Sequence, residues 1–83
     1  MNSKQANTWI VYSRPGCGLC EEFLLELAAL LGDRAFLVKV VNIDDDDELV
    51  RKYFDRIPVL TVDDEFICQY RLDAETVRRR LTY

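Results

Sequence analysis

Two strand-like runs separated by one amphipathic helical pattern restrict the fold of this chain more than any other feature. Residues 9–12 are β-branched and aromatic, and residues 35–43 form a longer run of the same kind. Between them, apolar residues recur at the spacings of three and four that are typical of a helix with one buried face: Cys20, Phe23, Leu24, Leu27, Ala28 and Leu31. A helix that joins two such strands makes them parallel, with a right-handed crossover. The sequence therefore predicts an α/β domain in which residues 35–43 form an interior strand covered by helices.

An acidic tract at residues 44–47 predicts the start of a second, shorter helix that runs to residue 54. Negative charge favours a helix start, and one aspartate is expected to cap the helix. A carboxylate metal site is the alternative, but the tract lacks the alternating ligands and the glycine turn of calcium loops. The buried stripe of this helix is expected to be Leu49, Val50, Tyr53 and Phe54.

The last third of the chain predicts a hairpin and a final helix. Residues 59–62 and 66–71 are strand-like and are joined by an acidic turn, which makes them antiparallel. Asp73 is placed to cap the final helix, and Leu72 and Val77 are spaced to pack together across its first turn. The complete order is β-α-β-α-β-β-α, with a four-stranded mixed sheet.

Length and charge exclude several classes of protein. With 83 residues the chain has room for one small core, and we expect a flexible segment at residues 1–7 followed by one domain at residues 8–83. The net charge of −4 offers no basic field for nucleic acid, and no apolar run approaches the length of a membrane span. The polar start lacks the apolar stretch of a secretory signal. We therefore expect a cytoplasmic monomer that binds neither nucleic acid nor membrane.

Two cysteines, Cys17 and Cys20, stand three positions apart between the end of the first strand and the first turn of the helix. Unpaired backbone N–H groups and the positive end of the helix dipole favour a thiolate over a thiol at Cys17. Arg14, three residues upstream, is expected to add a cation. One helical turn brings Cys20 within reach from the buried face. The pattern predicts that Cys17 attacks a disulfide and that Cys20 resolves the mixed disulfide.

Other roles for the cysteines stay open at this point. A Cys-x-x-Cys pair is also half of a zinc site, but the chain has no histidine, so Cys68 and a carboxylate would have to complete it. We therefore expect no metal. Cys68 itself is interpreted as a small buried side chain on the last strand, with a third redox thiol as the alternative. The basic run Arg78-Arg79-Arg80 suits a helix end, or else docks an acidic partner.

The sequence resembles the thioredoxin superfamily, specifically the short glutaredoxin-like proteins, over nearly its whole length. Two motifs carry the resemblance: Cys17-Gly18-Leu19-Cys20 after the first strand and Ile57-Pro58-Val59 at the third. The resemblance implies a thioredoxin-like three-layer fold, a cis Pro58 across from the cysteine pair, and pairing of the Ile57 backbone with an extended substrate. The expected substrate-binding residues are Arg14, Gly18, Leu19, Ile57 and Pro58.

Two departures distinguish the chain from typical glutaredoxins. Gly18-Leu19 stands where they carry Pro-Tyr, and Cys68-Gln69 stands where their Gly-Gly binds glutathione. Side chains at these two positions are expected to crowd the tripeptide, whereas Arg71 is able to attract a carboxylate.

The resemblance and the cysteine motif together predict a redox-active thiol–disulfide oxidoreductase for electron transport. Its substrate is expected to be a disulfide-containing protein or a small thiol compound. No cofactor is expected to be bound, and glutathione or a thioredoxin-type reductant supplies the electrons, at a reduction potential of roughly −270 to −200 mV. The alternative is a non-catalytic thioredoxin-fold binding module that docks a partner at the Pro58 lip.

Overall fold

A computed structural model of the protein describes residues 8–81, so the segment predicted to be flexible, residues 1–7, lies outside the described residues. The order β-α-β-α-β-β-α is confirmed. The strands are β1 (Trp9–Ser13), β2 (Val38–Asn42), β3 (Val59–Val62) and β4 (Glu65–Gln69), and the helices are α1 (Gly18–Leu31), α2 (Asp47–Tyr53) and α3 (Ala74–Leu81). Short 3-10 turns at Gly32–Leu37 and Ile43–Asp45 precede β2 and α2.

The four strands form one mixed sheet in the order β2-β1-β3-β4. β1 runs parallel to β2 and antiparallel to β3, with Trp9 beside Val38 on one side and Val62 on the other. β3 and β4 form the predicted antiparallel hairpin. Its turn consists of Asp63 and Asp64, both at positive φ (54° and 68°), which is the conformation of a two-residue hairpin turn. Glu65 therefore belongs to β4 and not to the turn.

The prediction of an interior strand at residues 35–43 is wrong. β2 has only five residues and lies at the edge of the sheet, because among the described residues it pairs with β1 alone. The residues before it are used by the 3-10 turn that reverses the chain after α1, and there Phe36 is 80% exposed. Val40, within β2, is 52% exposed. An apolar run shows that a strand is favoured, but its place in the sheet depends on which other strands pair with it.

Two apolar clusters lie on opposite faces of the sheet and give the domain three layers. On one face, α1 and α3 pack on β1 and β3 through buried side chains that include Trp9, Phe23, Leu60 and Val77. On the other face, α2 covers a smaller cluster of Ile43, Tyr53 and Val59. Alternation along β3 separates the two, since Leu60 faces one layer and Val59 the other.

Most predicted helix faces and caps are confirmed, with two exceptions. Asp46 accepts the amide hydrogen of Glu48 at 2.9 Å and caps α2, and Asp73 accepts that of Thr76 at 3.2 Å and caps α3. Ala28 is exposed, and together with Val38 and Val40 of the edge strand it lines an open apolar depression beside α1. Phe54 is 56% exposed because α2 ends at the residue before it.

Within residues 8–81, the longest helix is α1 with 14 residues, and no helix is both long and apolar enough to cross a membrane.

Candidate active site

Cys17 occupies the N-cap position of α1, at the end of the loop that follows β1. Gly16 has a φ of 79°, which directs the chain from the strand into the helix, and a glycine adopts this conformation without a steric cost. The Sγ atom of Cys17 accepts the backbone amide hydrogen of Cys20 at 3.1 Å, and the carbonyl oxygen of Cys17 accepts that of Glu21 at 3.1 Å. The thiol is half-buried. Cys17 therefore lies where the sequence placed it, with its sulfur at the start of the helix.

Cys20 lies one turn further along α1 on the buried face and is 2% exposed. Burial, and then the hydrogen bond to the Cys17 side chain, raise the pKa of the Cys20 thiol to about 12, although a backbone hydrogen bond from Arg14 acts in the opposite direction. At neutral pH Cys20 is therefore a protonated thiol. Both sulfurs are in the free thiol form.

Arg14 is held by a partner that the sequence did not indicate. Its Nε and Nη2 atoms each lie 2.9 Å from Oδ1 of Asp44, the second residue after β2. Because β1 and β2 are parallel, with Ser13 beside Asn42, the loops after both strands meet at one edge of the sheet. The guanidinium of Arg14, which was expected to act on Cys17, therefore forms an ion pair with the carboxylate of Asp44. The general rule that parallel strands end at the same edge could have pointed to Asp44.

The Ile57–Pro58 peptide bond is cis, as the resemblance implied. Tyr12 pairs with Val59, so the next antiparallel step places Ser13 beside Pro58, at the end of β1 that leads to the cysteines. Pro58 is buried and Ile57 is half-buried. Gly18 and Leu19 are exposed on the first turn of α1. The fold thus brings the two sequence motifs to the same end of the sheet.

Tyr70 fastens the loop before β3 to the loop after β4, a role that the sequence did not predict. Its backbone N–H donates to the carbonyl oxygen of Pro58 at 2.9 Å, and its hydroxyl donates to the carbonyl oxygen of Asp55 at 2.6 Å. Its φ is 68°, a conformation that tyrosine rarely adopts. No local signal marks it, because glycine or asparagine is the usual residue at such a position.

A shallow groove of about 160 Å³, which we call the motif groove, lies between α1 and the segment that joins β4 to α3. Leu19, Glu22 and Glu26 form its α1 wall, Phe23 lies at its base, and Tyr70 and Arg71 form the opposite wall. It begins at the motif itself, since Leu19 is the residue before Cys20. The sequence did not predict this groove, because its two walls are more than 40 residues apart in the chain.

Cys68 and Gln69, the two residues expected to crowd glutathione, are the last two residues of β4. Cys68 is 8% exposed and belongs to the core cluster under α1 and α3, where burial raises the pKa of its thiol. The side-chain oxygen of Gln69 accepts a hydrogen bond from Nε of Arg56 at 3.1 Å. The structure therefore agrees with the interpretation of Cys68 as a buried side chain.

The structure also shows the surroundings of the residues in two further alternatives, a metal site and a basic docking patch. In the described part of the chain, no three acidic or cysteine side chains come together in a way that could hold a metal ion. In the acidic tract, Asp46 serves as a helix cap and Asp44 as the partner of Arg14. In the basic run, Arg80 forms an ion pair with Glu65 on β4.

Solved structures of two other proteins resemble this one. The solution NMR structure of protein Ne2328 from Nitrosomonas europaea is 38% identical in sequence over 89% of each chain, with a TM-score of 0.77. The crystal structure of SA0789 from Staphylococcus aureus, described as a protein of unknown function, is 18% identical over 92% of this chain and 88% of that one, with a TM-score of 0.63. At 18% identity the likeness concerns the fold alone. No curated protein matches the chain.

A family model described as Glutaredoxin-like domain (DUF836) matches residues 8–82, which is nearly the whole chain. The matched region contains both the Cys17–Cys20 pair and the cis Pro58, and its element order is that of a thioredoxin-like fold. The chain therefore belongs to the family of glutaredoxin-like domains (DUF836).

Proposed function

We propose that this protein is a thiol–disulfide oxidoreductase in which Cys17 is the nucleophile and Cys20 the resolving thiol. The observation that carries the proposal is the contrast between two sulfurs one helical turn apart. Cys17 is half-buried, and its Sγ accepts an amide hydrogen at the helix start, whereas Cys20 is buried and kept protonated. An amide donor and a position at a helix start are both typical of nucleophilic cysteines.

In the first step, the Cys17 thiolate attacks one sulfur of a substrate disulfide. The bond between Cys17 and that sulfur forms as the substrate S–S bond breaks, and the departing sulfur takes a proton from water. Attack through Cys17 is favoured over attack through Cys20, because Cys20 is 2% exposed and its raised pKa keeps it a thiol. The product is a mixed disulfide between Cys17 and the substrate.

In the second step, Cys20 attacks Sγ of Cys17 and the Cys17–Cys20 disulfide forms. The remaining substrate sulfur leaves, and the proton of Cys20 passes to it, so the substrate has gained two electrons and two protons in total. A thiol reductant, glutathione or a thioredoxin-type dithiol, then reduces the Cys17–Cys20 disulfide and is itself oxidised. The electrons arrive as thiols, so the reaction requires no bound prosthetic group.

The substrate is expected to bind at the end of the sheet where the two motifs meet. Pro58 has no N–H, and the backbone of Ile57 next to it is the proposed pairing partner for an extended substrate segment. Leu19 is 44% exposed beside the cysteine pair and offers apolar contact. Arg14 and Gly18 complete the proposed binding surface.

A trapping experiment tests the proposal. The Cys20→Ser variant keeps the nucleophile and removes the resolving thiol, so it is expected to accumulate a mixed disulfide when incubated with a peptide disulfide. Mass spectrometry of the intact protein measures the adduct. Cys17→Ser serves as the negative control, and Cys68→Ser, which alters only the buried third thiol, is expected to behave like the unmodified protein. Absence of an adduct in Cys20→Ser would contradict the proposal.

The alternative, a binding module, has one observation in its favour: Leu19 and Tyr70, which both line the motif groove, are exposed by 44% and 43%. Alkylation separates the two functions. An exchange enzyme reacts with iodoacetamide at pH 6.5 through Cys17 faster than an ordinary thiol does, because its thiolate is favoured. A module with vestigial cysteines reacts no faster than a free cysteine peptide under the same conditions.

Parallel turnover assays identify the electron donor. One assay supplies glutathione with its reductase, and the other supplies thioredoxin with its reductase. Cys68 packs in the core and the Gln69 side chain accepts a hydrogen bond from Arg56, so the assay with glutathione tests whether this surface accepts the tripeptide. The faster of the two assays identifies the class of reductant.

A further inference from the structure

The motif groove starts at the cysteine pair and runs along α1. Leu19, Glu22 and Glu26 are spaced by three and four residues, so they share one side of the helix. The rise of a helix places Glu22 about 8 Å and Glu26 about 14 Å beyond Cys17 along its axis. A substrate joined to Cys17 and lying in this groove would pass Glu22 first and Glu26 second.

The wall that α1 contributes carries only negative charge. Within Gly18–Leu31 the ionisable side chains that are charged at neutral pH are Glu21, Glu22 and Glu26, and the helix contains no lysine, arginine or histidine. Glu22 and Glu26 are both exposed, and within residues 8–81 neither has an ion pair. These two carboxylates are therefore available to a ligand.

The opposite wall carries a single opposing charge. Arg71 is exposed, and its guanidinium has no ion pair among the described residues. Tyr70, on the same wall, is fixed by its two hydrogen bonds to Pro58 and Asp55, so this wall is held against the cis proline loop. Two carboxylates against one guanidinium leave the groove with a net negative charge.

We propose that the motif groove selects polypeptide disulfides that carry a lysine or arginine two to four residues from the reacting cysteine. An extended segment advances about 3.3 Å per residue, so the 8–14 Å between Cys17 and the two glutamates corresponds to roughly two to four residues. The occupant is an extended segment of a protein substrate whose cationic side chain pairs with Glu22 or Glu26. This inference rests on the proposed exchange function and adds the class of substrate to it.

Three matched peptide disulfides provide the test. Each is a symmetric disulfide of an otherwise uncharged peptide, with lysine, glutamine or glutamate placed three residues on either side of the cysteine. The measured quantity is the second-order rate constant for reduction by the prereduced protein. Since a charge beside a disulfide also changes its intrinsic reactivity, each rate is divided by the rate for the same peptide with dithiothreitol.

The expected normalised order is lysine, then glutamine, then glutamate. The lysine-to-glutamate ratio is expected to be about three- to fivefold at low ionic strength, which is within the range that an exposed charge pair produces. It should fall below about twofold at 0.5 M salt, because salt screens such pairs.

Charge-neutralising variants locate the effect. Glu22→Gln with Glu26→Gln is expected to bring the normalised rate for the lysine peptide down to that for the glutamine peptide, measured with the same variant. The matched control is Asp33→Asn with Asp64→Asn, which changes net charge equally; both residues are exposed, one after the end of α1 and one in the β3–β4 turn. Arg71→Gln is expected to increase the lysine preference, because it removes the cation from the opposite wall.

The outcomes separate this inference from the proposed function. If the three peptides are reduced at equal normalised rates, or if the double glutamate variant and its control behave alike, exchange stands and the groove does not select charge. If no peptide is reduced, the exchange function itself is wrong, and the substrate class is wrong with it.

Discussion

The guanidinium of Arg14 and the carboxylate of Asp44 are joined at two points, with Nε and Nη2 of the arginine each 2.9 Å from Oδ1 of the aspartate. This contact ties the loop that leads from β1 to Cys17 to the 3-10 turn that follows β2. It also places a negative charge beside the cation nearest in sequence to the cysteine motif. Both side chains are partly exposed, at 37% and 46%, so the pair contributes little to global stability.

Asp44→Asn is therefore expected to change reactivity more than stability. Loss of the carboxylate frees the charge of Arg14 to act on the thiolate of Cys17, and alkylation by iodoacetamide at pH 6.5 should become about two- to fivefold faster at low salt. The free energy of unfolding should fall by no more than about 1 kcal/mol. Asp45→Asn, one residue further in the same exposed tract, is the control. Equal alkylation rates in the two variants would show that the ion pair does not influence Cys17.

The free energy of unfolding should fall as the pH rises through and above the pKa of a cysteine thiol in the unfolded chain. The pKa of Cys20 is raised to about 12 in the folded protein, and that of Cys68 is also raised, both chiefly by burial. A thiol in the unfolded chain ionises near pH 8.5, so above that pH the unfolded state has lost protons that the folded state retains. The contribution of Cys20 to stability is present below about pH 8.5 and declines above it by at most about 1.4 kcal/mol per pH unit.

Urea denaturation between pH 7.5 and 9.5 under reducing conditions measures this decline. The Cys20→Ala variant should show a smaller pH dependence than the unmodified protein, even though its absolute stability also changes. An identical slope in the two proteins would mean that Cys20 does not carry the effect.

Tyr70→Phe removes the hydroxyl that donates to the carbonyl oxygen of Asp55. The free energy of unfolding should fall by about 0.5–1.5 kcal/mol, the usual value for one hydrogen bond. Amide hydrogen exchange should accelerate at residues 55–57, the loop that Tyr70 fastens. Tyr70→Gly provides the comparison, because it also removes the side chain but relieves the positive φ of 68°. Unchanged exchange in Tyr70→Phe would contradict the role given to this hydroxyl.

Two leucines on the same helix provide a matched test of the core. Leu27 is 1% exposed and packs in the core cluster on the buried face of α1, whereas Leu25 is 73% exposed. Leu27→Ala should cost about 2–5 kcal/mol of unfolding free energy, and Leu25→Ala should change it by less than about 0.5 kcal/mol. Thermal or urea denaturation measures both. Similar losses in the two variants would show that the burial assigned to α1 is wrong.

The helical faces and the caps could be predicted from the sequence because they depend on local spacing. Phe23, Leu27 and Leu31 are buried as their spacing indicated, and Asp73 caps α3. Two residues that the spacing predicted to be buried are exposed in the structure. Ala28 and Phe54 fit the spacing of a buried stripe, but one lines the open apolar depression beside α1 and the other follows the last turn of α2.

The position of the cysteine pair was also predictable. A strand, a turn with Pro15-Gly16 and an amphipathic helix are local signals, and together they place Cys17 at a helix start and Cys20 on the buried face. The neighbours of the pair were not predictable in the same way. Asp44 meets Arg14 from 30 residues away, and Tyr70 reaches Asp55 from 15 residues away.

Local patterns along the chain were sufficient to predict the order of the elements, most of the buried helix faces and the different positions of the two thiols on α1, because these features depend on residues close together in the sequence. Three other features depend on the packing of distant segments: β2 lies at the edge of the sheet, Arg14 pairs with the carboxylate of Asp44, and α1 and the segment after β4 line a groove beside the cysteine motif. Such features escape local patterns because strand pairing, and the contacts it creates between distant loops, depend on the free energy of the whole packed domain.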